Sequence, residues 1–200
     1  MKTAEIKITG IEDCQRALLA TEKQGEESGL SVKQNLRLRL LAEELIGMIR
    51  NLSGYIDALY WIERQGSTFS LNLKADVIMN KEVREMLIAT ATSGKNSAAK
   101  GFMGKLREMV AGIMIPSAQG PSVLSTLSLG MMNGSPISED AGMSSYIWSL
   151  KNYKEKIGEN EADLAEEMED LERSIVANLA DEVIVKIVGS KVEVDIIKAF

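Results

Sequence analysis

The chain has 200 residues, with 23 Lys and Arg against 29 Asp and Glu, and its formal net charge is −6. It contains no histidine and one cysteine, which excludes a Ser-His-Asp triad, a His-ligated zinc site and an internal disulfide. The acidic balance argues against a general nucleic-acid binder, so we expect no nucleic-acid partner.

Three features of the sequence predict a cytoplasmic protein that makes no contact with a membrane. The first ten residues alternate apolar and polar side chains and lack the apolar run of a signal peptide. No stretch approaches the roughly 18 uninterrupted apolar residues of a membrane-spanning helix. The lone Cys14 suits a reducing compartment.

Hydrophobic periodicity predicts one strand and two helices in the N-terminal quarter of the chain. Apolar residues alternate over 4–9, which is typical of a strand, and then recur every three or four residues over 11–28 and 32–52. Gly29 lies where the first helix would end, and Ser31 is a typical N-cap for the second.

The period then changes from 3.6 to 2, which predicts a β-hairpin. Its strands cover 55–63 and 67–75 and flank a short loop that contains glycine. Beyond the hairpin, we predict helices over 81–91 and 102–114.

The rest of the chain predicts a loop, a helical segment and a second hairpin. The loop covers 115–144, which is rich in Ser, Gly, Met and Pro, and the helical segment covers 145–180. The second hairpin has strands over 182–188 and 191–198.

Five strands and four or five helices in this order predict an α+β fold. We expect a two-layer sandwich in which a mostly antiparallel five-stranded sheet carries helices on one face. We interpret the chain as a single domain, 1–200, in which 115–181 is an insertion made of a loop and an acidic helix. The nine acids of 154–174 indicate either a solvated helix face or a helix that docks on a partner.

The run GLSVKQNLRLRLLAEELIGMIRNL, over 29–52, resembles the first signature of the histidine-kinase-like (GHKL, or Bergerat) ATPases. The anti-sigma-factor serine kinases are the nearest group, and the likeness in element order covers 4–114 and 182–198. The resemblance implies a GHKL-like sandwich that binds ATP and Mg²⁺. It also implies that Glu44 acts as the general base, whereas without the resemblance Glu44 is a helix-surface carboxylate.

The family places an Asn four residues after this Glu, where it holds the magnesium ion. Here that position is Met48, whose thioether cannot act as a hard oxygen ligand. Asn51 lies on the same helix face, roughly 4.5 Å further along the axis, and is our candidate metal ligand.

The second family motif, Asp-x-Gly-x-Gly, contacts the adenine amino group through its Asp. The matching residue here is Asp76 in KADVIMN, where Ile78 and Asn80 replace both glycines. Asp76 is therefore either an adenine contact or simply the end of a strand.

The best match to the family's phosphate loop is AAKGFMGKLREM. It contains Gly101 and Gly104 before a predicted helix, whose free N–H groups favour an anion. Lys95, Lys100 and Lys105 add positive charge to this segment. The same composition is also typical of a soluble connecting loop.

Two functions follow as expectations. The first is an ATP-binding signalling protein similar to the anti-sigma serine kinases, with catalysis weakened or lost, as in a pseudoenzyme. The alternative is a non-catalytic interaction or dimerisation module that keeps the fold without nucleotide. Under either hypothesis we expect a protein partner or a homodimer.

Overall fold

The computed structural model describes residues 1–53, 57–76, 145–159, 174–188 and 190–200. The helices predicted over 81–91 and 102–114 and the loop predicted over 115–144 lie outside these ranges.

The predicted N-terminal elements are confirmed: strand β1 (Ile6–Ile8), helix α1 (Ile11–Glu27) and helix α2 (Val32–Ser53). Gly29, between the helices, has a φ of 77°, a conformation that glycine adopts without strain. The start of α2 is a reciprocal capping arrangement. The Ser31 amide donates to Oε1 of Gln34 at 2.9 Å, and the Gln34 amide donates back to Oγ of Ser31 at 3.4 Å.

The first hairpin is confirmed, with bounds shifted by one to three residues from those predicted. It consists of β2 (Ala58–Gln65) and β3 (Thr68–Asp76), joined by a turn in which Gly66 has a φ of 62°. The second hairpin consists of β5 (Glu182–Val188) and β6 (Lys191–Ala199). Both hairpins form because short glycine-containing turns separate two runs of alternating apolar residues.

The prediction of a helix throughout 145–180 is wrong at its start. Ser145–Ser149 forms a strand, β4, which is followed by helices α3 (Leu150–Glu159) and α4 (Ile175–Leu179). Trp148 lies opposite Val185 of β5 and is buried, so pairing with a strand distant in sequence decides the conformation here. The segment also contains the β-branched and aromatic residues that strands favour.

Within the described residues, the sheet therefore has six strands rather than the predicted five, in the order β1-β2-β3-β6-β5-β4. All neighbouring strands are antiparallel, so the predicted α+β class with an antiparallel sheet is confirmed. β3 pairs with β6 along its whole length and joins the two hairpins into one sheet. β4, which falls inside the predicted insertion, extends the same sheet.

The core lies on one face of this sheet, where α1 contacts β1 and β2 while α2 contacts β3 and β6. The buried apolar side chains of β3, β5 and β6 come from alternate positions, as a sheet with one covered face requires. They are Phe69, Leu71, Leu73, Val183, Val185, Ile187, Val192, Val194 and Ile196.

Candidate functional site

One end of the sheet brings together segments that the sequence analysis singled out separately. Asp76 at the end of β3 lies opposite Lys191, Lys191 lies opposite Val188, and Val188 lies opposite Ser145 at the start of β4. These four residues form one row across four adjacent strands, which we call the Asp76 row. With neighbouring strands about 4.8 Å apart, the row is about 14 Å long.

Asp76 and Ser145, both in the Asp76 row, are the described residues on either side of segment 77–144, which connects β3 to β4. The chain leaves β3 after Asp76 and returns to the sheet at Ser145, at the same end. The predicted phosphate-loop residues belong to this intervening segment and lie outside the described residues: Lys95, Lys100, Gly101, Gly104 and Lys105. Both ends of the connection that contains these residues therefore lie at the Asp76 row.

The C-terminal half of α2 is directed to the same end. α2 ends at Ser53, and β2 begins five residues later at Ala58, which lies opposite Ala75. Since Ala75 directly precedes Asp76, the chain enters β2 at the end of the sheet where the Asp76 row lies. Asp76 projects from the face of the sheet opposite to that of its buried neighbour Ala75, whereas α2, which carries Glu44, packs on the buried face. The structure therefore does not bring the two carboxylates together.

Glu44 is a half-buried carboxylate of α2 and has no hydrogen bond or ion pair to another described residue. Its neighbour Glu43 is exposed and accepts a hydrogen bond from Nε of Arg39 at 3.1 Å. Arg39 also pairs with Glu22 of α1, and these two carboxylates raise the pKa of its guanidinium. At 100° per residue, Glu44 lies roughly 140° around the helix from Arg39, on the flank that faces away from α1.

Met48, four residues after Glu44, has only 4% of its surface exposed and belongs to the buried apolar cluster. Asn51 lies in the last two turns of α2, and its side chain is outside the described part of the structure. Among the described residues, no group of three or more acidic or cysteine side chains is arranged to hold a metal ion. The assignment of Asn51 as a metal ligand stays a prediction.

Asp76 is exposed and accepts a hydrogen bond at Oδ1 from Oγ of Ser190, at 2.6 Å. Oδ2 of Asp76 accepts no hydrogen bond within the described ranges, so it is open to a donor from outside. The sequence analysis missed Ser190, which lies in the β5–β6 turn and 114 residues away from Asp76 along the chain. The sequence showed a polar turn between β5 and β6. It did not show that this turn lies beside the end of β3, since that position depends on the pairing of β3 with β6.

Positive charge also lies in this row. Lys191 is exposed, and no ion pair involves it in the described part of the chain. In the next row, Nζ of Lys74 lies 4.0 Å from Oε2 of Glu193. On the other side of the hairpin, Lys7 pairs with Asp57 at 3.2 Å. Counting only contacts among the described residues, the Asp76 row thus has one carboxylate oxygen and one ammonium without a partner.

Comparisons with family models, with curated proteins and with solved structures returned no match to this chain. Within the described ranges, every helix is too short or too polar to cross a membrane.

Proposed function

We propose that this chain is an adenine-nucleotide-binding regulatory protein with a GHKL-like fold, similar to the anti-sigma serine kinases, in which catalysis is weakened or lost. One observation carries the proposal. The end of β3, the β5–β6 turn and both ends of the connection that contains the predicted phosphate segment meet at the Asp76 row, where Ser190 donates to Oδ1 of Asp76. Of these residues, the resemblance implies a role for Asp76, as the adenine contact.

In this proposal Asp76 recognises the adenine. The Ser190 hydroxyl holds Oδ1 at 2.6 Å, which leaves Oδ2 to accept a hydrogen bond from the exocyclic amino group. A charge-assisted hydrogen bond of this kind contributes about 1.5–3 kcal/mol. The missing glycines at Ile78 and Asn80 predict weak binding, because the backbone cannot approach the base as closely.

The phosphates would be held by the segment tethered at Asp76 and Ser145. Its predicted contributors are two glycines and three lysines, Gly101, Gly104, Lys95, Lys100 and Lys105. Glycine permits backbone amides to approach an anion, and ammonium groups neutralise its charge.

Glu44 would accept a proton from a water or a serine hydroxyl, because its carboxylate is half-buried and has no partner among the described residues. The resemblance also implies Mg²⁺, but the residue at the corresponding position does not fit this ion, since Met48 is a buried thioether. No chemical step is therefore derived through the metal, and we assign to the chain a binding role in which turnover is slow or absent.

Isothermal titration of the full chain with ATP and ADP tests the proposal, with Asp76→Asn as the diagnostic variant. We expect saturable heat for the native chain and at least about a tenfold loss of affinity in the variant, the equivalent of about 1.4 kcal/mol. Asp57→Asn is the matched control, because Asp57 is an exposed acid near the same end whose partner among the described residues is Lys7. No heat at millimolar nucleotide would reject the proposal.

A second candidate function is the interaction module without nucleotide. The outer surfaces of α1 and α2 favour it, since Leu19, Val32 and Leu36 are 63%, 88% and 56% exposed. Light scattering of the purified chain tests for a dimer, and Leu36→Ser should weaken it. Excess absorbance at 260 nm in the purified protein would instead favour the nucleotide hypothesis.

A further inference from the structure

One face of the sheet has no helix on it within the described ranges. All four described helices instead place side chains in the one buried apolar cluster, on the opposite face. We call the side without helices the open face, and its side chains alternate with the buried ones along each strand. We propose that the open face binds a second copy of this chain, so that two sheets pack face to face in a homodimer. The proposal does not depend on nucleotide binding.

Large apolar side chains occupy more of the open face than a surface in contact with water alone requires. Leu59 and Val188 are 36% and 43% exposed. The half-buried Ile184 is a diagonal neighbour of both Ile147 and Ile197, and Val188 is a diagonal neighbour of Ile147, so these side chains are within reach of one another. A connected apolar patch that is bordered by charged residues is typical of an interaction surface.

The centre of the open face is polar but already lies out of contact with water. Asn72 and Asp195 lie opposite each other on β3 and β6, and only 7% and 8% of their surfaces are exposed. Oδ2 of Asp195 accepts a hydrogen bond from Nζ of Lys186 at 3.0 Å. Because these groups lose their hydration within the single copy, a second copy packed over them removes little further water. The penalty that polar groups usually impose on association is therefore small here.

The order of residues across the sheet makes the open face complementary to itself. One row consists of Trp61, Asn72, Asp195 and Ile184, on β2, β3, β6 and β5. A twofold axis midway between two facing sheets, parallel to the line between β3 and β6, keeps each row over the same row of the second copy. It exchanges β3 with β6 and β2 with β5. Trp61 of each copy then lies over Ile184 of the other, and an apolar contact forms on each side of the polar centre.

The neighbouring row of charged residues favours the same symmetry. Lys74 lies opposite Glu193, with Nζ and Oε2 4.0 Å apart within one copy. The twofold axis places Lys74 over Glu193 of the second copy and Glu193 over its Lys74, so the four charges alternate in sign. Over β3, β6 and β5, the two rows carry Lys74 and Lys186 against Glu193 and Asp195, a net charge of zero. Two chains of net charge −6 therefore meet without repulsion at this contact.

The open face has the size that a stable dimer needs. Its six described strands, about 4.8 Å apart and up to nine residues long, span at most about 24 Å by 26 Å. A flat area of that order, increased by the relief of the side chains, approaches the roughly 800 Å² that each partner buries in a standard interface. The Asp76 row forms one end of the face and lies beyond the two rows that carry the contact.

Sedimentation velocity of the full native chain at increasing concentration tests the proposal, and we expect a dimer by about 100 µM. Lys74→Glu makes both members of the charged pair negative, and Glu193→Lys makes both positive. Each single variant should raise the dimer dissociation constant at least about tenfold. Lys23→Glu is the matched control, because Lys23 is an exposed residue of α1 and its replacement should leave the dimer unchanged.

Mixing the two single variants separates a contact between copies from an effect inside one copy. In an equimolar mixture of Lys74→Glu and Glu193→Lys, a negative pair faces a positive pair, so we expect heterodimers of near-native affinity. Mixing would not rescue a substitution that only disturbed β3 or β6. Circular dichroism checks that the variants fold. If a charge variant does not fold, Leu59→Arg tests the same contact, because the twofold axis places position 59 over Lys186 of the second copy.

Three results would overturn the inference. A native chain that stays monomeric up to about 100 µM removes it. A dimer that Leu36→Ser dissociates and Lys74→Glu leaves intact assembles through the helices instead. Single variants that lose the dimer and are not rescued by mixing show that the loss arises within one copy. None of these results depends on nucleotide titration, so failure of this inference is distinguishable from failure of the proposed function.

Discussion

The phenol oxygen of Tyr60 lies 2.7 Å from Oγ1 of Thr21, and both residues are fully buried where α1 packs on β2. Thr21 also donates to the carbonyl oxygen of Ala17 at 2.8 Å, so its hydroxyl hydrogen is already used. Tyr60 must therefore donate and Thr21 must accept. Because of this direction, removing the Thr21 hydroxyl and removing the Tyr60 hydroxyl should lower the free energy of unfolding by different amounts.

We expect Thr21→Val to destabilise the fold more than Tyr60→Phe. Val leaves the buried Tyr60 hydroxyl without a partner, which costs about 1–3 kcal/mol, whereas Phe removes one net hydrogen bond worth about 1 kcal/mol. Urea unfolding of both single variants and of the double variant measures the difference. Equal losses in the two single variants would contradict the assigned direction of the hydrogen bond.

Burial raises the pKa of the Tyr60 phenol well above its ordinary value. The unfolded chain releases this proton near pH 10 while the folded chain retains it, so stability falls as pH rises through the unfolded pKa. In Tyr60→Phe this alkaline loss should be smaller, as unfolding followed between neutral and alkaline pH would show. A loss as steep as in the native chain would mean that Tyr60 is not the group responsible.

Two helical glycines should respond to alanine with opposite signs. A Cβ at Gly25 of α1 would lie 2.1 Å from Oδ1 of Asn35, whose Nδ2 is held by the carbonyl oxygen of Glu22 at 3.1 Å. A Cβ at Gly47 of α2 meets nothing within 4 Å. We expect Gly25→Ala to destabilise by about 1–3 kcal/mol through overpacking, and Gly47→Ala to stabilise by about 0.5–1 kcal/mol. Thermal unfolding measures both, and a stabilised Gly25→Ala would contradict the close helix contact.

The carboxylate of Asp181 should stabilise the fold in a pH-dependent way. Burial pushes its pKa upward, but hydrogen bonds from the Ala199 amide and from Lys198, both at 2.7 Å, outweigh this and leave the pKa below its ordinary value. A lowered carboxyl pKa adds stability above the unfolded pKa, which is lost as pH falls through the folded pKa. Asp181→Asn should therefore cost about 1 kcal/mol at neutral pH and progressively less below about pH 4. Chemical unfolding at several pH values tests this, and a pH-independent difference would argue against it.

Asp195 should show the opposite behaviour. It is 8% exposed, its Oδ2 accepts a hydrogen bond from Lys186 at 3.0 Å, and its buried Oδ1 has no hydrogen-bond partner among the described residues. Burial raises its pKa, Lys186 opposes this shift, and the charges of Glu193 and Glu63 add to it. The folded chain keeps this proton to a higher pH than the unfolded chain, so Asp195 contributes less stability as pH rises above about 4.

The variant Asp195→Asn has no carboxyl group to titrate at this position, so comparing it with the native chain isolates the effect of Asp195 on stability. The stability of the native chain relative to the variant should be greatest at acid pH and decline towards neutral pH. Unfolding free energies of the two proteins at matched pH values provide the comparison. A difference that grows as pH rises would show that pairing with Lys186 outweighs desolvation.

The N-terminal helices and the two hairpins could be predicted because their signals are local. The capping residues Ser31 and Gln34, the turn at Gly66 and the apolar period all act within a few residues. Strand β4 could not be predicted in this way. Its five residues become a strand because they pair with β5, about 39 residues later, and no local period distinguishes them from the helix that follows.

Some residues of the candidate site could likewise be predicted from the sequence, and others could not. The sequence pointed to Glu44 and Asp76 through a family resemblance that stays a prediction, and it gave no indication that Ser190 would hold Asp76. Nor did it indicate that Asp195, on a strand of mostly apolar residues, would be buried beside Lys186.

The sequence by itself determined the first strand, the two N-terminal helices and both hairpins, since helix capping, turn conformation and hydrophobic period depend on neighbouring residues. Only the tertiary structure decided that β3 pairs with β6, that β4 completes the sheet, and that Asp76 meets Ser190. These contacts join residues far apart in the chain. They form only when the burial of the shared apolar face compensates the entropy lost in closing the long intervening loops.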